Sequence, residues 1–125
     1  MSRLLLDTHV FMWWALASPR VKARWVDSIA EPSNTVAVSA ATVWEIEIKK
    51  RSGKLHFPHE AIALAHGYGF ELLPISPLDA RRAGSLDWDH RDPFDRMLAA
   101  QCLERDFTLV TDDVAFFEAP GVTLL

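Results

Sequence analysis

Acidic residues in this sequence are spaced so that a fold could bring them together around a divalent cation. They occur at four separated places: Asp7, the pair Glu45 and Glu47, the pair Asp92 and Asp95, and the pair Asp112 and Asp113. Clustered carboxylates repel, since two unit charges about 4 Å apart cost about 4 kcal/mol at an effective dielectric constant of about 20. Mg²⁺ or Mn²⁺, which prefer oxygen ligands, would relieve this repulsion. The chemistry expected of such a site is metal-assisted hydrolysis, in which the cation lowers the pKa of a water molecule and stabilises charge on a phosphate.

The apolar pattern predicts elements that place several of these acids at one edge of a sheet. Apolar runs predict strands at 3–7, 35–39, 71–75 and 107–111, with a possible fifth strand at 122–125. Helical patterns lie near 9–16, 19–30, 40–51, 59–66, 78–85 and 93–105. This alternation, with strands that have no polar face, indicates an α/β domain whose parallel sheet is covered on both sides. Ligands bind beyond the carboxyl ends of such strands, where Asp7, Asp112 and Asp113 directly follow.

Each of these acids also has a purely structural interpretation. Asp7 suits the N-cap of the helix that follows it. Asp112 and Asp113 suit a turn. The two glutamates could each pair with a basic residue four positions later on a solvated helix face: Glu45 with Lys49, and Glu47 with Arg51. Periodicity alone does not decide between Glu45 and Glu47 as the site residue.

The stretch "HRDPFDRM", residues 90–97, presents the same alternatives most sharply. Asp92 is a favoured N-cap, Pro93 suits the first helical position, and Asp95 stands where the acid of a capping box belongs. Asp95 also lies on the apolar stripe of the predicted helix, together with Phe94, Leu98, Ala99, Cys102 and Leu103. A core-facing carboxylate needs a partner, which a metal ion, Arg91 or Arg96 could provide. We therefore expect Asp92 to cap the helix and Asp95 to hold a metal ion.

Composition limits what kind of protein this can be. The chain has 125 residues, of which 50% are hydrophobic and 24% charged, as expected of one globular domain. Its single cysteine excludes an internal disulfide framework and suits a reducing cytoplasm. No apolar run approaches the roughly 20 residues of a membrane span, and "MSRLLLDTHV" does not resemble a signal peptide. The formal net charge of −4 excludes nucleic-acid binding through bulk positive charge, so a local device such as a cation must recruit any phosphate.

Four segments resemble the signature blocks of PIN-domain proteins of the VapC toxin type, which occur in bacterial toxin–antitoxin pairs. The segments are "LLLDTHVFMWW", "SAATVWEIEIKKRSGKL", "HRDPFDRMLAAQ" and "LVTDDVAF". Their order and spacing match, and together they span nearly the whole chain. The resemblance implies a single PIN domain over residues 1–125, a three-layer α/β/α sandwich with a central, mainly parallel sheet of four to five strands. It also implies an Mg²⁺- or Mn²⁺-dependent endoribonuclease that is inhibited by a small antitoxin protein and forms a homodimer.

The resemblance also selects site residues. Asp7, Glu45, Asp95 and Asp113 match the family's catalytic and metal-binding acids. In the family the fourth block reads Thr-any-Asp, so Thr111 precedes a variable position that is Asp112 here, and the charge of Asp112 could let it substitute in part. Three further supporting residues are expected: Asp92 as N-cap with an outer role, Thr8 to orient an acid or contact phosphate, and Arg96 to steer RNA phosphate or pair with an acid.

Two other functions remain open at the level of sequence. A metal-dependent phosphatase or a DNA-directed nuclease would use the same acids on a similar fold. A non-catalytic binding module would not need them, and the presence of all four argues against it. The aromatic-rich N-terminal segment that contains Trp13 and Trp14 predicts a dimer or antitoxin surface. His90 and Cys102 are expected to be structural.

Overall fold

A four-stranded parallel sheet forms the centre of the computed structural model, which describes all residues 1–125, with strand order β3-β2-β1-β4. The strands are β1 Arg3–Leu6, β2 Thr35–Ser39, β3 Glu71–Leu73 and β4 Thr108–Val110. The helices are α1 Thr8–Ala15, α2 Ala23–Ala30, α3 Ala40–Arg51, α4 Ala61–Gly67, α5 Pro77–Ser85 and α6 Pro93–Arg105, and a 3₁₀ helix at Val114–Glu118 follows β4. The predicted α/β fold with a parallel sheet is confirmed. None of the helices is both long and apolar enough to cross a membrane.

Alternate side chains of β1 fill two separate cores, one on each face of the sheet. Leu4 and Leu6 belong to a core built with α1 to α4, whereas Leu5 belongs to a core built with α6 and the 3₁₀ helix. All three leucines are at most 2% exposed, because helices cover both faces of the strand. Cys102 is buried in the second core, as expected. The result is the three-layer sandwich that the resemblance implied.

The start of α2 differs from the prediction. The helix predicted at 19–30 does not begin at Pro19, because the Ser18 side chain accepts the N–H of Arg20 and the Ser18 carbonyl accepts the N–H of Val21, which closes a turn. Helix α2 begins only at Ala23, and its N-cap position, Lys22, makes no side-chain capping bond. A Ser-Pro pair therefore marked the turn that precedes the helix rather than the helix itself.

The edges of the sheet are shorter than predicted. Strand β3 stops before Pro74, which has no N–H to donate. The predicted fifth strand at 122–125 is reduced to an isolated parallel bridge between Leu109 and Leu124. Backbone hydrogen bonds from Leu109 N to Thr123 O and from Leu125 N to Leu109 O, both 2.9 Å, hold this segment against β4.

Helix α4 also differs from the prediction. It begins at Ala61, two residues later than predicted, and is capped by Glu60.

Strand register brings the starts of two helices to one edge of the sheet. Leu6 pairs with Val38 on one side and with Val110 on the other, so β1 and β4 end at the same level and β2 ends one residue later, at Ser39. Asp7 immediately follows β1 and caps α1, and Ser39 caps α3 by accepting the N–H of Ala41 at 3.0 Å. This carboxyl edge is where the acidic residues meet.

Candidate active site

Asp7 lies where β1 ends and α1 begins. It is 4% exposed, and its carboxylate accepts the backbone N–H of Val10 at 2.8 Å and the hydroxyl of Thr111. Burial raises the pKa of Asp7 to about 6, although both hydrogen bonds and the neighbouring His9 act to lower it. Asp7 therefore caps α1 and also presents to the sheet edge a carboxylate whose ionised form is poorly solvated.

Glu45 reaches the same edge from the middle of α3 and is 5% exposed. The Thr8 hydroxyl donates to its Oε1 at 2.7 Å, and the Thr42 hydroxyl lies 3.1 Å from that of Thr8. The Lys49 ammonium lies 2.6 Å from the other carboxylate oxygen, Oε2. Glu45 is thus held on both oxygens by side chains of α1 and α3.

Glu47 takes no part in this arrangement. Its side chain is 53% exposed and lies 3.8 Å from the Lys50 ammonium, not beside Arg51 as the helical spacing suggested. Burial thus separates Glu45 from Glu47, a distinction that helical periodicity alone did not make.

Two aspartates at the N-terminus of α6 do different things. Asp92 is the N-cap, and its Oδ1 accepts the backbone N–H groups of Phe94 and Asp95 at 2.9 and 3.1 Å. Asp95 does not complete a capping box, since its Oδ2 lies instead 2.7 Å from Nε2 of His90. Burial raises the pKa of Asp95; the His90 contact lowers it, and the charge of Asp92 raises it further.

The segment after β4 contributes the last acid. Asp113 Oδ1 accepts the N–H of Ala115 at 3.0 Å and caps the 3₁₀ helix, while its own N–H donates to Thr111 Oγ1 at 3.0 Å. Thr111 thereby connects Asp113 to Asp7, since its hydroxyl donates to the Asp7 carboxylate. Asp112 is exposed and lies outside the cavity that the other acids line. Nothing in the structure therefore supports the suggestion that Asp112 substitutes in part for Asp113.

The predicted acids line one polar cavity of about 110 Å³. No hydrophobic residue lines it, and its wall contains five carboxylates but a single lysine. The lining residues are Asp7, Thr8, His9, Glu45, Lys49, Asp92, Asp95 and Asp113. Residues from four separate parts of the chain are therefore brought together by the fold.

The chemistry of this cavity, rather than a preformed cage, fits a hard divalent cation. In the structure, no group of three or more histidine, cysteine, aspartate or glutamate side chains is arranged so that it could hold a metal ion. Each of the acids Asp7, Glu45, Asp95 and Asp113 is hydrogen-bonded to a protein group instead. Apart from His9 and Lys49, the groups that line the cavity are nevertheless carboxylates and the Thr8 hydroxyl, and Mg²⁺ and Mn²⁺ prefer such oxygen ligands. Burial raises the pKa of both Asp7 and Asp95, and an added positive charge would offset that burial penalty.

Arg96 has a structural task. Its guanidinium donates four hydrogen bonds to backbone carbonyls, those of Ala83, Leu86, Trp88 and His90, at 2.6–3.0 Å. Because an arginine has five N–H donors, little capacity remains for a phosphate. The prediction that Arg96 pairs with an acid is wrong, and neither Arg96 nor Arg91 is the partner of Asp95. Arg96 instead fixes the loop that carries His90.

Three basic residues beside the acids, His90, Lys49 and His9, were not predicted as site residues. His90 was expected to be structural, because no spacing in the sequence connects it to Asp95 before the loop at 86–92 is folded. Lys49 was considered only as a surface partner of Glu45, although the i,i+4 spacing did signal the contact. His9, which lines the cavity, gave no distinguishing signal beyond its place two residues after Asp7.

Comparisons with known proteins found a family model that matches the sequence and solved structures that share the fold. The sequence model for the PIN domain matches residues 4–122. The fold is similar to VapBC2 from Rickettsia felis bound to a DNA fragment from their promoter (18% identity, TM-score 0.73, 98% of this chain and 97% of that chain covered). It is also similar to DNA-bound VapBC from Salmonella typhimurium (19%, 0.70, 100% and 98%) and to a toxin–antitoxin complex from Klebsiella pneumoniae (23%, 0.65, 96% and 95%). No curated protein matches the chain.

Proposed function

The chain belongs to the PIN-domain family, and on that premise we propose that it is a metal-dependent endoribonuclease and a toxin of the VapC type. The observation that carries this proposal is the single polar cavity in which Asp7, Glu45, Asp95 and Asp113 meet from four segments of the chain. A structural role explains each acid separately, as a cap or a paired residue. It does not explain why the caps of α1, α6 and the 3₁₀ helix share one cavity with a buried glutamate.

We assign Asp7, Glu45, Asp95 and Asp113 as the residues that would hold Mg²⁺ or Mn²⁺. When bound there, the cation would supply Lewis-acid chemistry, lowering the pKa of a water molecule and stabilising charge on the phosphodiester. Binding would require the acids to exchange some of their present partners, such as His90 at Asp95, because no ligand cage is preformed.

The surrounding residues orient these acids. Thr8 donates to Glu45, and Thr111 donates to Asp7 while accepting the N–H of Asp113. Asp92 caps α6, so Asp95 is free of that task and its side chain is available to the cavity. The N-terminal end of the α6 dipole also favours negative charge at Asp95.

We propose RNA as the substrate on the resemblance of the four sequence blocks to VapC toxins. The same acids would serve a DNA-directed nuclease or a phosphatase, so the experiment must present all three substrate classes. A small antitoxin is the proposed inhibitory partner, since one similar structure is a toxin–antitoxin complex. Both partners would be met in the cytoplasm.

The proposed homodimer would use a face around α3, here called the α3 face and defined by Trp44, Ile75, Phe94 and Met97. These residues line an apolar cavity of about 230 Å³, and Trp44 is 59% exposed. A second apolar cavity of about 240 Å³ is also lined by residues of α3, Ala40 and Val43. Exposed apolar surface of this kind is typical of protein interfaces. Trp13 and Trp14, by contrast, are half-buried against the first core.

The experiment that tests the proposed function is sequencing of RNA 5′ ends after brief induction of the chain in cells. New 5′ ends at defined sites, absent on induction of Asp95→Asn, are expected. In parallel, the purified chain is given RNA, DNA and a phosphate monoester with Mn²⁺ or with a chelator. Cleavage of DNA or the monoester without cleavage of RNA would replace the proposal with one of the alternatives.

A further inference from the structure

The cavity faces an electrostatic problem if its ligand is a phosphodiester. Five carboxylates line its wall, and the whole chain has a formal net charge of −4. A phosphate approaching this cavity meets repulsion that a metal ion offsets only in part. A cation on the cavity wall with free donors would guide the phosphate to the acids.

Lys49 has the geometry for this task. Its ammonium lies 2.6 Å from Glu45 Oε2, and its side chain is 40% exposed whereas that of Glu45 is 6% exposed. The side chain therefore runs from solvent to the buried acid, one helical turn beyond it on α3. A lysine ammonium has three N–H donors, and Glu45 is the only acceptor that it contacts. Two donors remain for a ligand in the cavity.

The neighbouring basic residues do not have this freedom. Lys50 donates to the His59 carbonyl at 3.1 Å, lies 3.8 Å from Glu47, and is absent from the cavity wall. Arg96 uses four donors on backbone carbonyls. Lys49 is thus the only lysine or arginine on the wall, and it has donors to spare.

We propose that Lys49 is a phosphate-binding residue, which bridges Glu45 and a non-bridging oxygen of the RNA phosphodiester that enters the carboxylate cavity. The inference rests on the proposed function and adds to it a residue that the four acids do not include. Lys49 would contact a phosphate oxygen and not a base, so the contact is independent of base sequence. A positioning role, in which Lys49 only orients Glu45 for the metal, makes different predictions.

The test compares Lys49→Gln, Lys49→Arg and Lys50→Gln with the parent, using a labelled single-stranded RNA that the parent cleaves in Mn²⁺. Lys50→Gln removes the same charge one residue away and is the matched control. We expect Lys49→Gln to lower kcat/KM by about tenfold or more, as for loss of a charge-assisted hydrogen bond. The dependence of log kcat/KM on log salt should become shallower by about 0.7, the value for one single-strand phosphate contact. Lys49→Arg should recover most of the loss, and Lys50→Gln should match the parent.

A second readout separates phosphate binding from positioning. The rise in unfolding temperature caused by Mn²⁺ without RNA should be at least as large in Lys49→Gln as in the parent, because removing a positive charge beside Glu45 does not weaken cation binding. Loss of that rise would show that Lys49 acts through Glu45 and would overturn the inference, as would unchanged kcat/KM or an equal loss in Lys50→Gln. If the parent itself cleaves no RNA, the proposed function fails. The comparison of the Lys49 and Lys50 variants tests only the role of Lys49.

Discussion

His90 Nε2 lies 2.7 Å from Asp95 Oδ2, so the aspartate that helical spacing assigns to a capping box is bonded to a loop histidine instead. The cap of α6 is formed by Asp92 alone, which accepts two backbone N–H groups. The contrast with α5 is direct, because there Ser76 and Asp79 form a complete capping box. Asp95 is therefore dispensable for starting the helix.

Substitutions at Asp92 and Asp95 should have opposite effects on stability. Asp92→Ala removes the cap and should lower the free energy of unfolding by about 1 kcal/mol. Asp95→Asn, measured in a chelator at pH 7, should leave the protein as stable as the parent or more so. The pKa of Asp95 is raised by burial, so ionisation of this group opposes folding at neutral pH. Urea denaturation measures the free energy of unfolding of both variants and of the parent.

The same Asp95→Asn protein should gain little stability from Mg²⁺ or Mn²⁺ and should not cleave RNA. Asp92→Asn is the matched control, because asparagine also caps helices well and removes one charge from the same cavity. If the Asp95→Asn variant were less stable than the parent but fully active, the role of Asp95 would be structural and not catalytic.

Protons should compete with the metal at Asp7. In the metal-free protein its pKa is raised to about 6, so below that pH a cation must displace a proton to bind this carboxylate. We expect the rise in unfolding temperature caused by millimolar Mg²⁺ to be clearly smaller at pH 5 than at pH 7.5. The rise should change little above pH 7. Equal shifts at both pH values would show that Asp7 does not bind the cation.

The positions of the acids were predictable because strand ends are visible in the sequence. Asp7 directly follows an apolar run, and parallel strands end at a common edge, so convergence required no knowledge of side-chain contacts. The choice of Glu45 over Glu47 came from the resemblance, and its physical reason is burial against α1, a tertiary property. The role of Asp92 followed from cap chemistry, which is local.

The partners of these acids were not predictable, because they depend on loops. His90 reaches Asp95 only because Arg96 ties the loop at 86–90 to the start of α6. The start of α2 was missed for a related reason, since Ser-Pro at 18–19 is equally compatible with a turn and with a cap. Sequence reasoning thus located the acids and failed on the groups that neutralise them.

Away from the cavity, the pair formed by Asp79 and Arg105 should make stability depend on acidic pH. Asp79 is 0% exposed, and its Oδ2 lies 2.6 Å from Arg105 Nη2. Burial alone would raise the pKa of Asp79, but the Ser76 N–H and the Arg105 guanidinium outweigh burial and lower it. The stability that this ionised pair contributes is present above the unfolded-state pKa of about 4 and is lost as pH falls through the lower folded-state pKa.

Asp79→Asn should therefore be less stable than the parent at pH 7 by about 2 kcal/mol. That figure is below the value of about 3–5 kcal/mol for a broken, fully buried pair, because the Arg105 side chain is 24% exposed. The difference should shrink as pH falls below about 4. Urea denaturation between pH 3 and pH 7 measures it, and a difference that stays constant with pH would contradict the assignment.

The α3 face should carry the association of two copies. Trp44→Glu places a charge at its centre and should shift the purified chain from dimer to monomer in analytical ultracentrifugation, because a buried charge without a partner is costly. Phe117→Glu is the control, as Phe117 is 66% exposed on the 3₁₀ helix. Trp13→Glu and Trp14→Glu test the N-terminal surface predicted from sequence. A monomeric parent, or a dimer that survives Trp44→Glu, would exclude this face.

The most direct test of the central claim is the rate of RNA cleavage by the purified chain, free of any antitoxin, as a function of Mn²⁺ concentration. The claim that Asp7, Glu45, Asp95 and Asp113 hold a cation for phosphodiester hydrolysis predicts a saturable rise in rate with Mn²⁺. It also predicts no cleavage in chelator and a loss of at least about a hundredfold in Asp95→Asn, since a metal ligand is removed. Cleavage that persists in chelator, or that Asp95→Asn retains in full, would contradict it.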